Sequence, residues 1–225
     1  MEPIKSEEGE EILDIELEED LLRRNRQLAQ ENQKLLEQHG ILAVDVMGSI
    51  GSGKTSLIKN LIPLLRKSYK IGVIAGDVTT SIDAERIAQE GVRVLQINTG
   101  KECHLDAHLV AKALAKMDLV SLDLIFIENV GNLICPAEFP LGAHKRLVII
   151  SVTEGPWMVV KHPYIFLEAD VAVVNKIDLA RLMEVSPELL KEDLKKIKPN
   201  LLVAFTNCLT GAGLSQVVEG LRFSE

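Results

Sequence analysis

A glycine-rich segment between two apolar segments limits what this chain can fold into more than any other feature. Residues 48–55 read Gly-Ser-Ile-Gly-Ser-Gly-Lys-Thr and match every fixed position of the G-x-x-x-x-G-K-[ST] phosphate loop. A β-branched apolar run, residues 41–46, precedes the first glycine, and a run of helical apolar periodicity starts at Leu57. Strand, loop and helix in this order are the context that the motif requires. A glycine-rich turn that binds no ligand is the weaker interpretation.

The residue types in this loop predict how it would bind a nucleotide. Glycines let the backbone N–H groups point inward at a helix N-terminus, where the helix dipole also favours an anion. Lys54 is expected to reach the β- and γ-phosphates and to act in catalysis, and the Thr55 hydroxyl to hold Mg²⁺. The predicted phosphate-binding residues are Gly48, Ser49, Ile50, Gly51, Ser52, Gly53, Lys54, Thr55 and Ser56.

Length and composition suit one α/β domain with an extension. The 225 residues are 47% hydrophobic and 26% charged, as in ordinary globular proteins, and suffice for a sizeable core. A net charge of -8 argues against a nucleic-acid partner. Three cysteines do not make a disulfide framework and suggest a reducing compartment. Because no signal peptide or long apolar run is found, we expect a cytoplasmic protein with no membrane association.

The chain is predicted to divide into an N-terminal extension, residues 1–39, and a nucleotide-binding domain, residues 40–225. Residues 1–10 are acidic and are predicted to be disordered. Residues 12–38 contain no Gly or Pro and predict an amphipathic helix that packs against its own domain. A coiled coil is disfavoured because positions 24, 31 and 38 are Arg, Glu and Gln. The apolar face is predicted from the leucines Leu17, Leu21, Leu28 and Leu35.

Strand-like and helical segments alternate after the phosphate loop. Alternation of near-continuous apolar strands with helices predicts a P-loop NTPase fold, with a mostly parallel sheet covered by helices on both faces. Ligands in such folds bind at the carboxyl ends of the strands. The predicted strands are residues 71–75, 92–97, 122–127, 147–152, 171–174 and 201–205, and the predicted helices are residues 82–89, 105–116, 162–167, 187–197 and a last one from 214.

The base is predicted from the sequence Asn175-Lys176-Ile177-Asp178, which follows a predicted strand. The Asp178 carboxylate can accept two hydrogen bonds from guanine N1 and its exocyclic amine, whereas adenine has no matching donor pair. Lys176 would lie on the base plane, and Asn175 would brace the surrounding loops. GTP is therefore favoured over ATP. Thr206 and Asn207 begin a segment that looks like the loop closing over guanine in GTPases, although Ser, Ala and Lys are usual where Thr206, Asn207 and Cys208 stand.

Two acidic residues at strand ends are candidate Mg²⁺ ligands together with Thr55, because Mg²⁺ prefers oxygen ligands. Asp77 follows the second strand, and Glu128 takes the place of the aspartate in the usual D-x-x-G. A glutamate at this position resembles the signal-recognition and MinD-related (SIMIBI-type) branch of GTPases and ATPases. No Gln or His is clearly placed to orient the attacking water, so slow turnover is predicted. Asp77 could serve in that role.

A second site is suggested by adjacent soft ligands. Cys103 and His104 lie at the start of a predicted helix, where the dipole favours a thiolate. Cys135 follows a different strand on the same side of the sheet. These three residues suit Zn²⁺ or Ni²⁺ but leave one coordination position open, which a second copy across a two-fold axis could fill. From spacing alone, small buried cysteines without metal are the favoured alternative.

Several motifs in this order resemble the hydrogenase-maturation nickel-insertion GTPases, the HypB family. They are the phosphate loop, Gly76-Asp77 with Thr80, Asp83, Ala84, Arg86 and Ile87, Cys103-His104-Leu105-Asp106-Ala107, Glu128-Asn129-Val130-Gly131-Asn132-Leu133 with Cys135-Pro136, Ser151-Val152-Thr153-Glu154-Gly155, and Asn175-Lys176 with Asp178. The resemblance covers about residues 41–216. The Cys-His-Leu-Asp-Ala and Glu-Asn-Val-Gly-Asn-Leu segments are specific to this family.

The resemblance implies a GTPase metallochaperone that forms a GTP-dependent homodimer and helps deliver nickel to the large subunit of [NiFe]-hydrogenase. It also implies that the interface metal ligands are Cys103, His104 and Cys135. The N-terminal cysteine motif of many bacterial members is absent, since no cysteine precedes Cys103, and so is the His-rich tract of some members, since only His39 precedes His104. A partner of the HypA type is expected to hold nickel instead.

Three alternatives remain open. A urease-accessory-type nickel GTPase would have a cysteine-proline-histidine motif, whereas Cys103 and His104 are adjacent. A P-loop small-molecule kinase would not release phosphate without an acceptor. A GTP-binding switch with negligible hydrolysis would show no single-turnover hydrolysis.

Overall fold

A seven-stranded parallel sheet forms the centre of the chain. The computed structural model describes residues 8–78, 80–100 and 102–221, with side chains from residue 19 onward. Within these residues the strand order is β3-β2-β4-β1-β5-β6-β7. The strands are Leu42–Gly48 (β1), Ile71–Asp77 (β2), Arg93–Asn98 (β3), Leu124–Glu128 (β4), Lys145–Ser151 (β5), Val171–Asn175 (β6) and Leu202–Phe205 (β7). The predicted sheet is confirmed, and every described pairing in it is parallel.

The helices follow the predicted order with small differences at their ends. One helix was predicted over residues 162–167, but two short helices lie on either side of Pro163, and a short helix that was not predicted begins at Cys135. The helices are Glu8–Gln38 (α1), Lys54–Leu65 (α2), Ile82–Ala88 (α3), Ala107–Leu114 (α4), Cys135–Glu138 (α5), Met158–Lys161 (α6), Tyr164–Leu167 (α7), Pro187–Ile197 (α8) and Leu214–Leu221 (α9).

The register of the sheet brings the carboxyl ends of its strands to one edge. Val46, near the end of β1, is paired with Glu128, and Ala75 of β2 is paired with the same glutamate. The strand order changes direction at β1, whose neighbours are β4 and β5. In open α/β sheets this switch point is where ligands bind. The phosphate loop therefore begins at the switch point.

Helices cover both faces because successive side chains of each strand point to opposite faces. Val44 and Val46 belong to a buried cluster with α2 and α9, whereas Ala43 and Met47 belong to clusters with α1, α4 and α8 on the other face. Burial on both faces explains why the strands are continuous apolar runs. Truncation of the fully buried Phe126 to alanine would cost about 3–5 kcal/mol.

The N-terminal helix packs against the domain through a different row of residues from the one predicted. α1 begins at Glu8, so the predicted disorder is wrong for residues 8–10, and residues 1–7 lie outside the described part. Leu21 is 64% exposed and Leu28 and Leu35 are half-buried, while Leu17 lies outside the described side chains. The buried row is Asn25, Ala29, Asn32 and Leu36.

Hydrogen bonds of two asparagines explain this choice of face. Asn25 donates to the Pro140 carbonyl at 2.9 Å and accepts from the Ala107 N–H at 2.8 Å. Asn32 donates to the carbonyls of Ala107 and Leu141 at 2.8 and 3.0 Å. Buried backbone groups must be paired, and only amide side chains in this row can pair them. Polar residues therefore point inward where the leucine pattern predicted an apolar contact.

No described helix has the length and apolarity that crossing a bilayer would require.

Candidate functional site

The loop between β1 and α2 has the shape of an anion cradle. Gly53, the N-cap of α2, has φ 111°, and a Cβ there would lie 2.3 Å from the Asn175 side-chain nitrogen. Only glycine fits this position without strain. No side chain caps α2, so its first N–H groups are free to bind an anion. Lys54 donates to the carbonyls of Gly48 and Ser49 at 3.1 and 3.0 Å.

A cavity of about 500 Å³ lies above this cradle. Ten predicted nucleotide-binding residues and both predicted acidic ligands contribute to its wall. The lining consists of Ile50, Gly51, Gly53, Lys54, Thr55, Ser56, Gly76, Asp77, Asp83, Arg86, Glu128, Asn129, Gly131, Asn175, Lys176, Asp178, Leu179, Asn207, Cys208 and Leu209. Segments that follow β1, β2, β4, β6 and β7 thus converge on one space.

Four predicted nucleotide-binding residues support the wall rather than line it. The Gly48 and Ser49 carbonyls accept from Lys54, and the Ser52 hydroxyl donates to the Ser49 carbonyl at 2.9 Å. Thr206 is fully buried and donates to the Asn175 side-chain oxygen at 3.0 Å. These contacts hold the loops in place from behind.

The corner that would hold the base is organised by Asn175. Its side chain donates to the Ser52 carbonyl at 2.9 Å and accepts from the Cys208 N–H at 3.2 Å, so it joins the phosphate loop to the loop after β7. Lys176 has φ 59°, and its ammonium lies 3.4 Å from the Thr153 hydroxyl. Asp178 lies in the short turn that follows. The amide, the lysine stem and the carboxylate therefore surround one end of the cavity.

The candidate Mg²⁺ ligands also lie in the wall of this cavity. The Thr55 hydroxyl donates to Glu128 Oε1 at 2.6 Å, while the buried Oε2 has no hydrogen-bond partner among the described residues. Burial raises the pKa of Glu128 to about 7, against the Thr55 hydrogen bond and the Lys54 charge. A buried carboxylate oxygen without a partner, beside a hydroxyl, fits an oxygen-preferring cation. Asp77 also lines the cavity, but its carboxylate accepts from Val78 N–H and the Thr80 hydroxyl.

Lys54 lies among acidic groups in this region. Burial lowers the pKa of its ammonium, and the carboxylates of Glu128, Asp83, Glu154 and Asp77 oppose that effect. The two hydrogen bonds of the ammonium go to the carbonyls of Gly48 and Ser49, and charged phosphate oxygens would be stronger acceptors for it. The electrostatics therefore suit an anionic ligand.

Three residues near the cavity were not named as site residues from the sequence, although residues 76–86 look like the first switch of a GTPase. Arg86 forms an ion pair with Asp83 at 3.1 Å and donates to the Ser56 hydroxyl at 3.4 Å. Glu154 accepts from the Ser151 N–H at 2.8 Å, and burial raises its pKa. All three belong to motifs that carried the family resemblance. Their position within these motifs was thus the signal that could have identified them, although the motifs alone give no chemical role for each side chain.

The three soft ligands converge although they come from two loops. The ligand atoms of Cys103, His104 and Cys135 all lie within 4.8 Å of one another. The two sulfurs are 2.9 Å apart, and Cys103 Sγ is 3.8 Å from His104 Nδ1. Both thiols are free. His108, the second residue of α4, is exposed and is not in this cluster.

The local chemistry of this cluster suits a borderline-soft cation. The hydrogen bond from Cys103 is the main cause that raises the pKa of the Cys135 thiol, followed by burial and the neighbouring charge, so a bound cation would have to displace the thiol proton. Burial lowers the pKa of His104, which favours the neutral imidazole that binds metals. The imidazole lies against the Phe139 ring at a centroid distance of 3.9 Å. Two sulfurs and one nitrogen fit Zn²⁺ or Ni²⁺ and leave a coordination position open.

Comparisons with known proteins agree on one family. The family model described as "CobW/HypB/UreG, nucleotide-binding domain" matches residues 42–205. The "Probable hydrogenase maturation factor HypB" of Methanocaldococcus jannaschii is 51% identical over 210 residues, which cover 93% of this chain and 95% of that protein.

Two solved structures have the same fold. HypB from Archaeoglobus fulgidus has a TM-score of 0.83 at 44% identity, covering 89% of this chain and 98% of the other. HypB from Helicobacter pylori in complex with nickel has a TM-score of 0.83 at 34% identity, covering 88% and 93%. The predicted SIMIBI-type fold and the resemblance inferred from the motifs are confirmed. Because the match extends over nearly the whole of both chains, this chain belongs to the HypB family of hydrogenase maturation factors.

Proposed function

We propose that this chain is a GTP-hydrolysing metallochaperone that assists nickel insertion into [NiFe]-hydrogenase. It acts in the cytoplasm as a homodimer that forms with GTP, beside a maturation factor of the HypA type and the hydrogenase large subunit. Membership of the HypB family and the nickel complex of the Helicobacter pylori relative support the role. The net charge of -8 gives no reason to include a nucleic acid.

The base corner supports GTP as the nucleotide. Asp178 offers two acceptor oxygens to guanine N1 and the exocyclic amine. The Lys176 stem lies beside the base, and Asn207 begins the loop that closes over it. Asn175 holds that loop against the phosphate loop. Specificity therefore comes from Asp178, and the neighbouring residues orient it.

The phosphate loop would promote hydrolysis by stabilising the negative charge that develops in the transition state. The N–H groups at the start of α2 and the Lys54 ammonium stabilise charge on the transferring phosphoryl group, and water is the nucleophile. Thr55, Asp77 and Glu128 would hold Mg²⁺, which supplies charge neutralisation between the β- and γ-phosphates. Asp77 is the candidate that orients the water. Slow turnover is expected because this carboxylate is already bonded within its own turn.

The Cys103, His104 and Cys135 cluster supports the metal-handling half of the proposal. Cys103 is exposed and the other two ligands are half-buried, so the open coordination position can be filled from outside the chain. A second copy related by a two-fold axis would supply ligands of the same kind. Metal binding would then further stabilise the dimer that forms with GTP.

The observation that carries the proposal is the continuity of the two sites along one segment. Glu128 ends β4 in the nucleotide cavity, and Cys135 starts α5 seven residues later in the metal cluster. A ligand that moves one end of so short a segment changes the other. Nucleotide state can therefore bias metal binding.

Titration with Ni²⁺ and with Zn²⁺ tests the proposal. The wild type and a Cys103→Ala, His104→Ala variant are titrated with a non-hydrolysable GTP analogue, with GDP and without nucleotide, while light scattering reports molar mass. We expect metal to bind the wild-type dimer most tightly with the GTP analogue, and the variant to lose this binding.

Two outcomes would contradict the proposal. Equal metal affinity and stoichiometry in all nucleotide states would remove the coupling between the sites. Metal-driven dimerisation that survives the double substitution would remove the Cys/His cluster from the account.

A further inference from the structure

Asn129 is fully buried between the two sites and uses both ends of its side-chain amide. Its Oδ1 accepts from the Leu105 N–H at 3.1 Å and from the Val130 N–H at 3.0 Å. Its Nδ2 donates to Asp45 Oδ1 at 3.2 Å. All three partners are themselves buried. The amide is therefore held in one orientation.

These contacts connect the nucleotide cavity directly to the metal cluster. Asn129 lines the cavity, follows Glu128 in the chain and donates its own N–H to the Val46 carbonyl at 3.0 Å. Leu105, whose N–H it accepts, follows His104. One side chain thus bonds the end of β4 to the residue next to a proposed metal ligand.

Leu105 has little freedom to move independently of the nucleotide side. Its side chain is fully buried and lies so close to Gly76 that a Cβ there would be 2.8 Å from it. Gly76 directly precedes Asp77, which lines the cavity. A shift of Leu105 would leave a buried N–H without its partner, which is unfavourable. The Cys103–His104 loop is therefore attached to β2 and β4 through Leu105, and the Cys103 carbonyl also accepts from the Asn132 side chain, beyond the end of β4, at 3.4 Å.

Another attachment of the same loop, through α1, does not involve residues that line the nucleotide cavity. Asn25 and Asn32 of α1 bond the N–H and the carbonyl of Ala107, two residues after Leu105. Neither asparagine lines the cavity. Loss of either of these bonds would loosen the loop without touching the nucleotide. The two attachments therefore allow a matched comparison.

We propose that Asn129 is the positioning residue that transmits the nucleotide state from the Glu128 end of β4 to the Cys103–His104 loop. The inference rests on the proposed function and names the side chain responsible for its coupling. Asn129 acts through Leu105, and it is not a metal ligand. The bond that Asn129 Nδ2 donates to Asp45 fixes the amide so that its oxygen faces the loop.

The test measures the ratio of the Ni²⁺ dissociation constants with GDP and with a non-hydrolysable GTP analogue, in the full chain. Coupling between two sites commonly amounts to about 5- to 150-fold. Asn129→Ser and Asn129→Ala remove the bond to Leu105, since a shorter side chain does not reach it. We expect either folded variant to bring the ratio to within about twofold of one.

Asn32→Ala is the control for simple loosening of the loop. It should weaken Ni²⁺ binding by a similar factor with both nucleotides and leave the ratio as in the wild type. Thermal unfolding of each variant verifies that it is folded. A merely structural role for Asn129 would give the same pattern as this control.

A double variant that exchanges the side chains of Asp45 and Asn129 should rescue the coupling. Asp45→Asn with Asn129→Asp keeps an amide donor facing a carboxylate, and the new carboxylate still accepts from Leu105 and Val130. We expect it to restore the wild-type ratio to within about twofold, because the hydrogen-bond pattern is preserved.

Failure of the proposed coupling and failure of the inference about Asn129 alone give different results. A wild-type ratio of one would overturn the proposed coupling and this inference together. A wild-type ratio different from one that survives in a folded Asn129→Ser or Asn129→Ala variant would overturn the inference alone. A folded exchange variant that does not restore the ratio would also overturn it.

Discussion

The nucleotide cavity and the Cys/His cluster lie at the same edge of the sheet but are built in different ways. The cradle of the cavity is one continuous segment of backbone from β1 into α2, and Lys54, Thr55 and Glu128 are all buried. The cluster consists of side chains from two loops, and Cys103 is exposed. Backbone atoms that a strand and a helix hold in place form a complete site before any ligand binds. Side chains on loops form a site whose completion can depend on a partner.

The difference separates what each site can respond to. A buried, pre-organised site has its donors in place before a ligand binds. An exposed site with an open coordination position changes with whatever approaches it. In the proposed function, the chemical step therefore belongs to the cavity and the regulated step to the cluster.

Removal of the Lys54 ammonium should impair hydrolysis in the cavity and leave metal binding by the cluster unchanged. In Lys54→Ala we expect phosphate release to fall by about 10²–10³-fold, because a buried charge aimed at the phosphoryl group is lost. Ni²⁺ affinity without nucleotide should stay the same. Steady-state phosphate release and metal titration measure both. Lys59→Ala is the control, since Lys59 lies on the same helix in an ion pair with Glu90. Equal losses in the two variants would contradict the assignment.

Removal of one thiol should weaken metal binding by the cluster and leave nucleotide binding in the cavity unchanged. In Cys103→Ser we expect Ni²⁺ affinity to fall by at least about 100-fold, since a soft thiolate ligand is replaced by a hydroxyl. GTP affinity without metal should change by less than about twofold. Calorimetric titration measures both. Cys208→Ser, at a buried cysteine in a hydrophobic cluster, should keep the metal affinity. A similar loss there would show that the cluster is not the binding site.

Replacement of one Asp178 carboxylate oxygen by an amide nitrogen tests whether this residue selects the base. In Asp178→Asn we expect GTP affinity to fall by about 10- to 100-fold, because two charge-assisted hydrogen bonds are lost. Xanthosine triphosphate should bind this variant better than GTP does, since xanthine presents a carbonyl where guanine has its amine. Competition with a fluorescent nucleotide measures both affinities. Unchanged GTP binding would place the base elsewhere.

Asp45 should show the smallest effect, on stability rather than on either site. Burial raises its pKa from 3.8 to about 6, against the attraction of Arg146 and the Asn129 hydrogen bond. A raised pKa means that the protonated form stabilises the fold, and that this contribution is lost as the pH rises through about 6. Asp45→Asn should therefore be more stable than the wild type above about pH 7, and equal near pH 4.

The expected gain for Asp45→Asn is about 1 kcal/mol. It is smaller than the shift alone would give, because the new amide nitrogen takes the place of Oδ2, which has no partner among the described residues. Urea unfolding at the two pH values measures the free energies. A gain of equal size at both would mean that the charge of Asp45 is not the cause.

Most of the sheet could be predicted because its signals are local. Burial on both faces makes each strand a continuous apolar run, and Gly, Ser or Pro marks most helix ends. The inward row of α1 could not be predicted from such patterns. Leucine spacing favoured one face, but Asn25 and Asn32 point inward because unpaired backbone groups at Ala107, Pro140 and Leu141 require them. Those groups are far from α1 in the chain.

The sequence by itself determined the phosphate loop, since its glycines, lysine and threonine are contiguous and their geometry follows from backbone conformation alone. It also supplied the three soft ligands and the motifs of the family. Only the tertiary structure decided that Cys135 lies beside Cys103, and that Asn129 bonds the loop next to them. Such proximities arise from the order β3-β2-β4, which places the ends of non-consecutive strands side by side. Residue spacing along the chain does not contain that order, because it is set by long-range pairing between strands.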